Sequence, residues 1–283
     1  MKALEWKLAR RTLALGERTL VMGILNVTPD SFSDGGHFFS LDRALGHAEE
    51  MVREGADILD VGGESTRPAG APVSVDEELR RVIPVIERLA GVGVPISIDT
   101  TRAEVARRAI DAGAEIVNDV SGLRFDPSVA DAAAHARAGL VLMHSRGDRE
   151  TLHSLPPVLD IFEEVTEGLR LSVEEALRRG VPGPAIALDP GVGFGKSQEQ
   201  NLELIARLDR LVRAFPDSPI LIGTSRKSFI GRLLNGAPVQ ERLHGTMATV
   251  TASVLNGAHI VRVHDVREAR QCITVADAIR RQQ

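Results

Sequence analysis

Val21-Met-Gly-Ile-Leu-Asn26-Val-Thr-Pro-Asp-Ser-Phe-Ser-Asp-Gly-Gly36 is the stretch from which the fold is read. An apolar run ends in Asn26, a Thr-Pro pair stops it, and a polar, glycine-tipped segment precedes the next helical pattern. This is a strand that delivers a polar side chain into a loop. The same grammar recurs at Ile58–Gly62, Ile96–Asp99, Ile116–Asp119, Leu140–His144, Ala185–Asp189, Ile220–Gly223 and Ile260–His264. Helical periodicity fills the intervals at Leu41–Glu54, Asp76–Ala90, Arg102–Ala112, Pro127–Ala138, Leu159–Arg179, Gln198–Ala214, Val239–Asn256 and Val266–Arg280. Ser74-x-x-Glu77 and Asp126-Pro127 supply first-turn chemistry for two of these helices. Eight strands alternating with eight helices predict parallel βα units closed into a (β/α)8 TIM barrel, rather than an open doubly wound sheet. Before them, the first twenty residues alternate weakly around Gly16, as in Arg11-Thr-Leu-Ala-Leu-Gly-Glu-Arg-Thr-Leu20, as expected of a short N-terminal β-hairpin that could plug the barrel floor. No linker or composition break divides residues 1–283, so one domain is expected, with residues 66–75 a long loop after the second strand.

An internal repeat sharpens this reading. Gly55-Ala-Asp-Ile-Leu-Asp60, Gly113-Ala-Glu-Ile-Val-Asn118 and Gly257-Ala-His-Ile-Val-Arg262 share a Gly-Ala-x-Ile core with a polar residue five positions after the glycine. Gly139-Leu-Val-Leu-Met-His144 keeps the offset without the alanine. The glycine can end a helix in the left-handed conformation, and the polar residue then arrives near the C-terminal end of the strand. Gly-Ala-x-Ile is ordinary αβ-loop chemistry. The polar strand ends are not, because a barrel interior favours branched apolar side chains.

Composition excludes several functions. A net charge of −5 argues against a surface built for nucleic acid or an anionic membrane. Cys272 is the only cysteine, which rules out an internal disulfide and a multi-cysteine zinc site and fits a reducing cytoplasm. Neither a secretory leader nor a membrane span is expected from the pattern of apolar residues.

In barrels of this type the site lies at the C-terminal mouth. The polar residues collected there are Asn26, Glu64, Asp99, Asn118, His144, Asp189, Lys227, Arg262 and His264. Asp99, Asn118 and Asp189 suit a flat, nitrogen-rich heterocycle, since carboxylates accept from ring N–H groups and an amide both donates and accepts. Asp119 is left out because strand alternation turns it away. Arg262 and His264, two apart, share a face and can hold phosphate oxygens, with Ser225-Arg226-Lys227-Ser228 beside them. Two plainer readings compete: Asp99 as the cap of the next helix, and Arg262 as the partner of a neighbouring carboxylate. Asp189-Pro-Gly-Val-Gly-Phe-Gly-Lys196 is neither a P-loop nor a Rossmann fingerprint. Its glycines are read as letting backbone approach a flat ligand, with Phe194 as an aromatic wall. Histidines 37, 47, 135, 153, 244 and 259 lack metal-ligand spacing.

These motifs, with Asp60-Val-Gly-Gly-Glu-Ser-Thr-Arg-Pro68 and Gly223-Thr-Ser-Arg-Lys-Ser-Phe-Ile-Gly231, run in order along nearly the whole chain and resemble the dihydropteroate synthase family of the folate pathway. The resemblance implies condensation of (7,8-dihydropterin-6-yl)methyl diphosphate with 4-aminobenzoate. It also implies that Asp99, Asn118, Asp189 and Lys227 bind the pterin, with Met143 lining the pocket. Arg262 and His264 would hold the diphosphate, and Asn26 would help bind Mg2+. Thr66, Arg67 and Pro68, with Phe194 and Ser228, would shape the aminobenzoate site, with Thr66 also close to the pterin diphosphate. A cytoplasmic homodimer is implied, and Thr28–Gly36 would form a lid. The segment after His144 matches the family pattern only loosely. Two alternatives share the pterin cradle: a methyltetrahydrofolate-binding methyltransferase barrel, which lacks the diphosphate apparatus, and a catalytically silent homologue, which should lack the first or second loop.

Overall fold

The computed structural model describes residues 2–27, 37–64, 73–147 and 155–282. Two short strands, β1 (Leu4–Lys7) and β2 (Thr12–Leu15), pair antiparallel as the expected hairpin. Eight parallel strands follow: β3 (Leu20–Asn26), β4 (Ile58–Gly62), β5 (Ile96–Asp99), β6 (Ile116–Asp119), β7 (Gly139–Met143), β8 (Ile186–Asp189), β9 (Leu221–Ile222) and β10 (Ile260–Val263). Their order is β8-β7-β6-β5-β4-β3-β10-β9, and a parallel bridge between Leu188 and Ile220 closes the ring. The helices are α1 (His37–Arg53), α2 (Val75–Leu89), α3 (Ala103–Asp111), α4 (Val129–Ala136), α5 (Ile161–Arg178), α6 (Gln198–Ala206), α7 (Asp209–Ala214), α8 (Ser228–Leu233), α9 (Leu243–Leu255) and α10 (Val266–Arg280). None of the described helices is long and apolar enough to cross a membrane.

The inner core fills the lower half of the barrel. Met22, Ile58, Ile116 and Val141 point inward there, and the hairpin closes them from below. Trp6 is fully buried and its indole Nε1 donates to the Ala185 carbonyl at 2.8 Å, so the plug is both packed and hydrogen-bonded. Gly139 makes room for it: a Cβ at that position would lie 2.4 Å from Leu8 Cδ2 and 3.3 Å from the Trp6 ring. Gly139 is therefore a strand residue against the plug. Gly55, Gly113 and Gly257, by contrast, close their helices with positive φ as the repeat predicts.

The expected single helix over 198–214 is two. Asn256 Nδ2 donates to the Ile205 carbonyl at 3.0 Å, taking the acceptor that a continuous helix would offer to Asp209, and the chain turns at that point. A short helix, α8, also follows β9, in an interval to which the sequence pattern assigns no element.

Candidate active site

Strand alternation puts the inward polar residues one level above the apolar floor. Asn26, Gly62, Asp99 and Asn118 form one register row across β3 to β6. Gly62 keeps this row open: a Cβ there would sit 3.6 Å from Asp99 Cβ and 3.7 Å from Asn26 Oδ1, so these two side chains face each other across it. Arg262 reaches the row from β10, with Nε donating to Asp60 Oδ2 at 2.6 Å and a terminal nitrogen donating to Asp99 Oδ2 at 2.7 Å. Asn118 Nδ2 donates to the same Asp60 oxygen at 3.0 Å. Asp99 does not cap α3; Asp126 Oδ2 accepts from the Ala103 amide instead. The competing reading of Arg262, pairing with carboxylates, is met in this arrangement. Burial pushes Asp99 up to about 7 even though Arg262 pulls it down.

Asp189, at the end of β8, accepts from the Gly191 amide at 2.7 Å, and burial raises its pKa above the usual carboxylate range. Lys227, just before α8, bonds the Val192 carbonyl and lies 4.3 Å from the centroid of the Phe194 ring, a cation–π contact. Burial lowers Lys227 to about 8, against the pull of Asp189. Met143 is the register partner of Asp189 and is buried. Asp99, Asn118, Asp189, Met143, Lys227, Phe194 and Arg262 are thus gathered at one end of the barrel, with Asn26 beside them.

The loop after β8 differs from its sequence reading. Gly191, Gly193 and Gly195 all have positive φ, and what approaches them is protein. A Cβ at Gly191 would lie 1.8 Å from the His144 carbonyl oxygen, at Gly193 2.8 Å from Lys227 Cδ, and at Gly195 2.6 Å from Arg146 Cβ. Lys196 fastens the same loop, with Nζ donating to the carbonyls of Gly191, Phe194 and His144 at 2.9, 3.1 and 3.2 Å. Burial drives its pKa well below the usual lysine value, and the three carbonyls satisfy its hydrogens.

His264 follows β10, and its Nδ1 lies 2.9 Å from Ser225 Oγ, which also accepts from the His264 amide at 3.2 Å. Arg226 turns aside to form a two-pronged ion pair with Asp265. Ser228 is exposed at the first position of α8.

Two residues in the mouth list stand elsewhere. Glu64 lies 3.6 Å from Arg102. His144 lies under the Gly168 backbone of α5, where burial holds it neutral with a pKa lowered to about 2. Asp119 turns outward as expected, accepting from the Ser121 and Leu123 amides. Thr66, Arg67 and Pro68, and the segment Thr28–Gly36, lie outside the described residues. The residue that sequence reasoning missed is Asp60, fully buried and bonded to two members of the site. Its signal was present, since the repeat aligns Asp60 with Asn118 and Arg262.

Known proteins resemble this chain in sequence and in fold. The family model described as pterin binding enzyme matches residues 22–264. The dihydropteroate synthase of a Synechocystis strain is 49% identical over 265 residues, covering 93% of this chain and 91% of that protein. The Xanthomonas albilineans dihydropteroate synthase structure with 4-aminobenzoic acid superposes with a TM-score of 0.90 at 43% identity, covering 98% of each chain. The Burkholderia cenocepacia dihydropteroate synthase complexed with 7,8-dihydropteroate superposes at 0.89 and 40% identity over the full length of both. With a polar row of this composition at the mouth of an eight-stranded barrel and relatives matching almost end to end, the chain belongs to the pterin-binding enzyme family, among the dihydropteroate synthases.

Proposed function

We infer that this chain condenses (7,8-dihydropterin-6-yl)methyl diphosphate with 4-aminobenzoate, giving 7,8-dihydropteroate and pyrophosphate. The observation that carries the reading is the composition of the mouth: carboxylates and an amide on β4, β5, β6 and β8 meet cations that come from after β9 and from β10. In the reaction the methylene C–O bond breaks, pyrophosphate leaves with the electron pair, and the arylamine nitrogen forms the new C–N bond and releases a proton to solvent. No covalent enzyme intermediate is required.

In this reading Asp99, Asn118 and Asp189 accept from the ring and its amino group, and with Lys227 they hold it against Met143. The carboxylates stabilise positive charge spreading into the dihydropterin as the C–O bond stretches. Arg262 and His264 bind the diphosphate, and Phe194 and Ser228 with Thr66, Arg67 and Pro68 shape the aminobenzoate site. Proximity of the two substrates supplies much of the remaining acceleration.

The family also implies Mg2+. Among the described residues no group of three or more His, Cys, Asp or Glu side chains converges as a metal cage. Asn26, half-buried beside Asp99, offers one amide oxygen. Mg2+ keeps waters and takes phosphate oxygens with only one or two protein donors, so this sparse oxygen set fits an ion that arrives with the diphosphate. Such an ion would neutralise charge on the departing pyrophosphate. A cytoplasmic homodimer completes the proposal; light scattering on purified protein tests the dimer.

The decisive assay is pyrophosphate release by purified protein supplied with dihydropterin diphosphate, Mg2+ and 4-aminobenzoate. Release that requires both organic substrates is expected, and folded protein that gives none overturns the reading.

A further inference from the structure

We propose that Asp60 is a positioning residue for both halves of this site: one buried carboxylate oxygen sets the amide of Asn118 and the guanidinium of Arg262. The inference rests on the synthase reading, which gives Asn118 to the pterin and Arg262 to the diphosphate. Asp60 is fully buried on β4, and its Oδ2 accepts from Arg262 Nε at 2.6 Å and Asn118 Nδ2 at 3.0 Å. Each bond removes an ambiguity. An asparagine amide can flip end for end, and donation from Nδ2 to Asp60 fixes which end is which, leaving Oδ1 as the acceptor for a ring N–H. A guanidinium has three edges, and holding Nε below leaves the terminal nitrogens as the working edge, where one now meets Asp99.

Two observations set Asp60 apart from a stabilising core residue. Its Oδ1 has no hydrogen-bond partner among the described residues, and neither has the hydroxyl of Ser97, its register neighbour on β5. A buried carboxylate with one unpartnered oxygen is a poor way to strengthen a barrel, because its desolvation is only partly repaid. The oxygen that is used is the one that reaches two ligand-binding side chains from opposite sides of the barrel.

The test is a pair of double-mutant cycles read by calorimetric binding, with 6-hydroxymethyl-7,8-dihydropterin as the ring probe and pyrophosphate with Mg2+ as the anion probe. Asp60→Asn, which keeps the shape, is expected to weaken both probes by about 10–100-fold although it touches neither. Combined with Asn118→Ala for the ring, or with Arg262→Lys for pyrophosphate, the losses are expected to be strongly non-additive. Steady-state turnover of Asp60→Asn should show KM for the dihydropterin diphosphate rising together with a fall in kcat. Additive losses in both cycles, weakening of only one probe, or affinities within about threefold of the parent protein overturn the shared positioning role. If Asp60→Asn does not fold, Asp60→Ser, which keeps one short acceptor, replaces it in both cycles under the same criteria. Parent protein that binds neither probe overturns the synthase reading itself; parent protein that binds both while the cycles are additive overturns only the role of Asp60.

Discussion

Replacing Gly191 by alanine perturbs the site without removing any functional group. Gly191 has φ +67°, and the added Cβ would stand 1.8 Å from the His144 carbonyl oxygen and 3.2 Å from Met143 Cγ. A carbon–oxygen contact requires about 3.3 Å, so the loop after β8 must lift by roughly 1.5 Å or the end of β7 must yield. Both are tied down. The His144 carbonyl accepts from Lys196, the Gly191 amide donates to Asp189, and the adjoining Val192 carbonyl accepts from Lys227. The lift therefore carries Lys227 and the partner of Asp189 away from the Asp99–Asn118–Arg262 row as a unit. Misplacement by about 1 Å costs on the order of 10²-fold in rate, so kcat/KM is expected to fall by about that factor or more. The left-handed φ adds about 1–2 kcal/mol of instability for a residue with a Cβ, equivalent to a fall of roughly 2–8 °C in Tm. Initial rates of pyrophosphate release over a grid of both substrates, with thermal unfolding of the same preparations, measure the two effects. A kcat/KM within about threefold of the parent would refute the claim that this loop sets the site.

Lys227→Ala is expected to lower kcat/KM by about 10²–10³-fold in the same assay while Tm moves little, because the desolvated ammonium is removed whole. Arg262→Ala behaves differently: it strands Asp60 and Asp99 without their shared cation, so the urea midpoint should fall with a loss of about 3–5 kcal/mol alongside activity, and an unchanged midpoint contradicts the pairing. Trp6→Ala is expected to cost about 3–5 kcal/mol by urea titration with kcat nearly unchanged, since the plug lies at the opposite end of the barrel from the polar row. A titration of kcat/KM should give a narrow bell with limbs near pH 7 and pH 8, because ionised Asp99 and protonated Lys227 coexist mainly there; a flat profile from pH 6 to 9 contradicts it. The same two groups act on stability with opposite slopes. Asp99, raised from 3.8, contributes stability at low pH that is lost as pH rises toward 7, whereas Lys227, lowered from 10.5, contributes stability at high pH that is lost as pH falls through about 8.

Local rules made much of this legible in the sequence. Strands Ile96–Asp99 and Ile116–Asp119 and helix Val266–Arg280 have the bounds their periodicity predicts, because period and turn chemistry act within a few residues. What escaped depended on partners distant along the chain. The break between α6 and α7 is made by Asn256, and Gly139 resembles a helix-ending glycine until Trp6 is packed against it. The glycines at 191, 193 and 195 suggested a ligand and instead accommodate His144, Lys227 and Arg146. Asp60 was passed over in favour of Glu64 because a reading by strand ends counts outward, whereas the inward-facing position is set by pleat and register with Ser97.

The cluster raises one further question, namely why a barrel should bury Asp60 and Asp189 and half-bury Asp99, Arg262 and Lys227 beside them when an apolar core of the same volume would be more stable. The arrangement answers it if the charges are taken by side of the barrel. The carboxylates proposed to face the ring come from β5 and β8, and the cations from the β9–α8 connection and β10. Heterolysis of the substrate C–O bond creates the complementary separation, positive on the dihydropterin and negative on the pyrophosphate. In water, solvent dipoles would have to reorganise around each developing charge; here the opposing charges are already fixed on strands and on a loop fastened by Lys196. The burial that destabilises the fold is the same burial that keeps these interactions from being screened. A replacement that makes the row apolar without stranding any charge should therefore raise the unfolding midpoint and abolish turnover together, and exchanging Asp60, Asp99, Asn118 and Arg262 as a set for apolar residues of matching volume is such a case: a more stable, inactive barrel supports this account, and a less stable one counts against it.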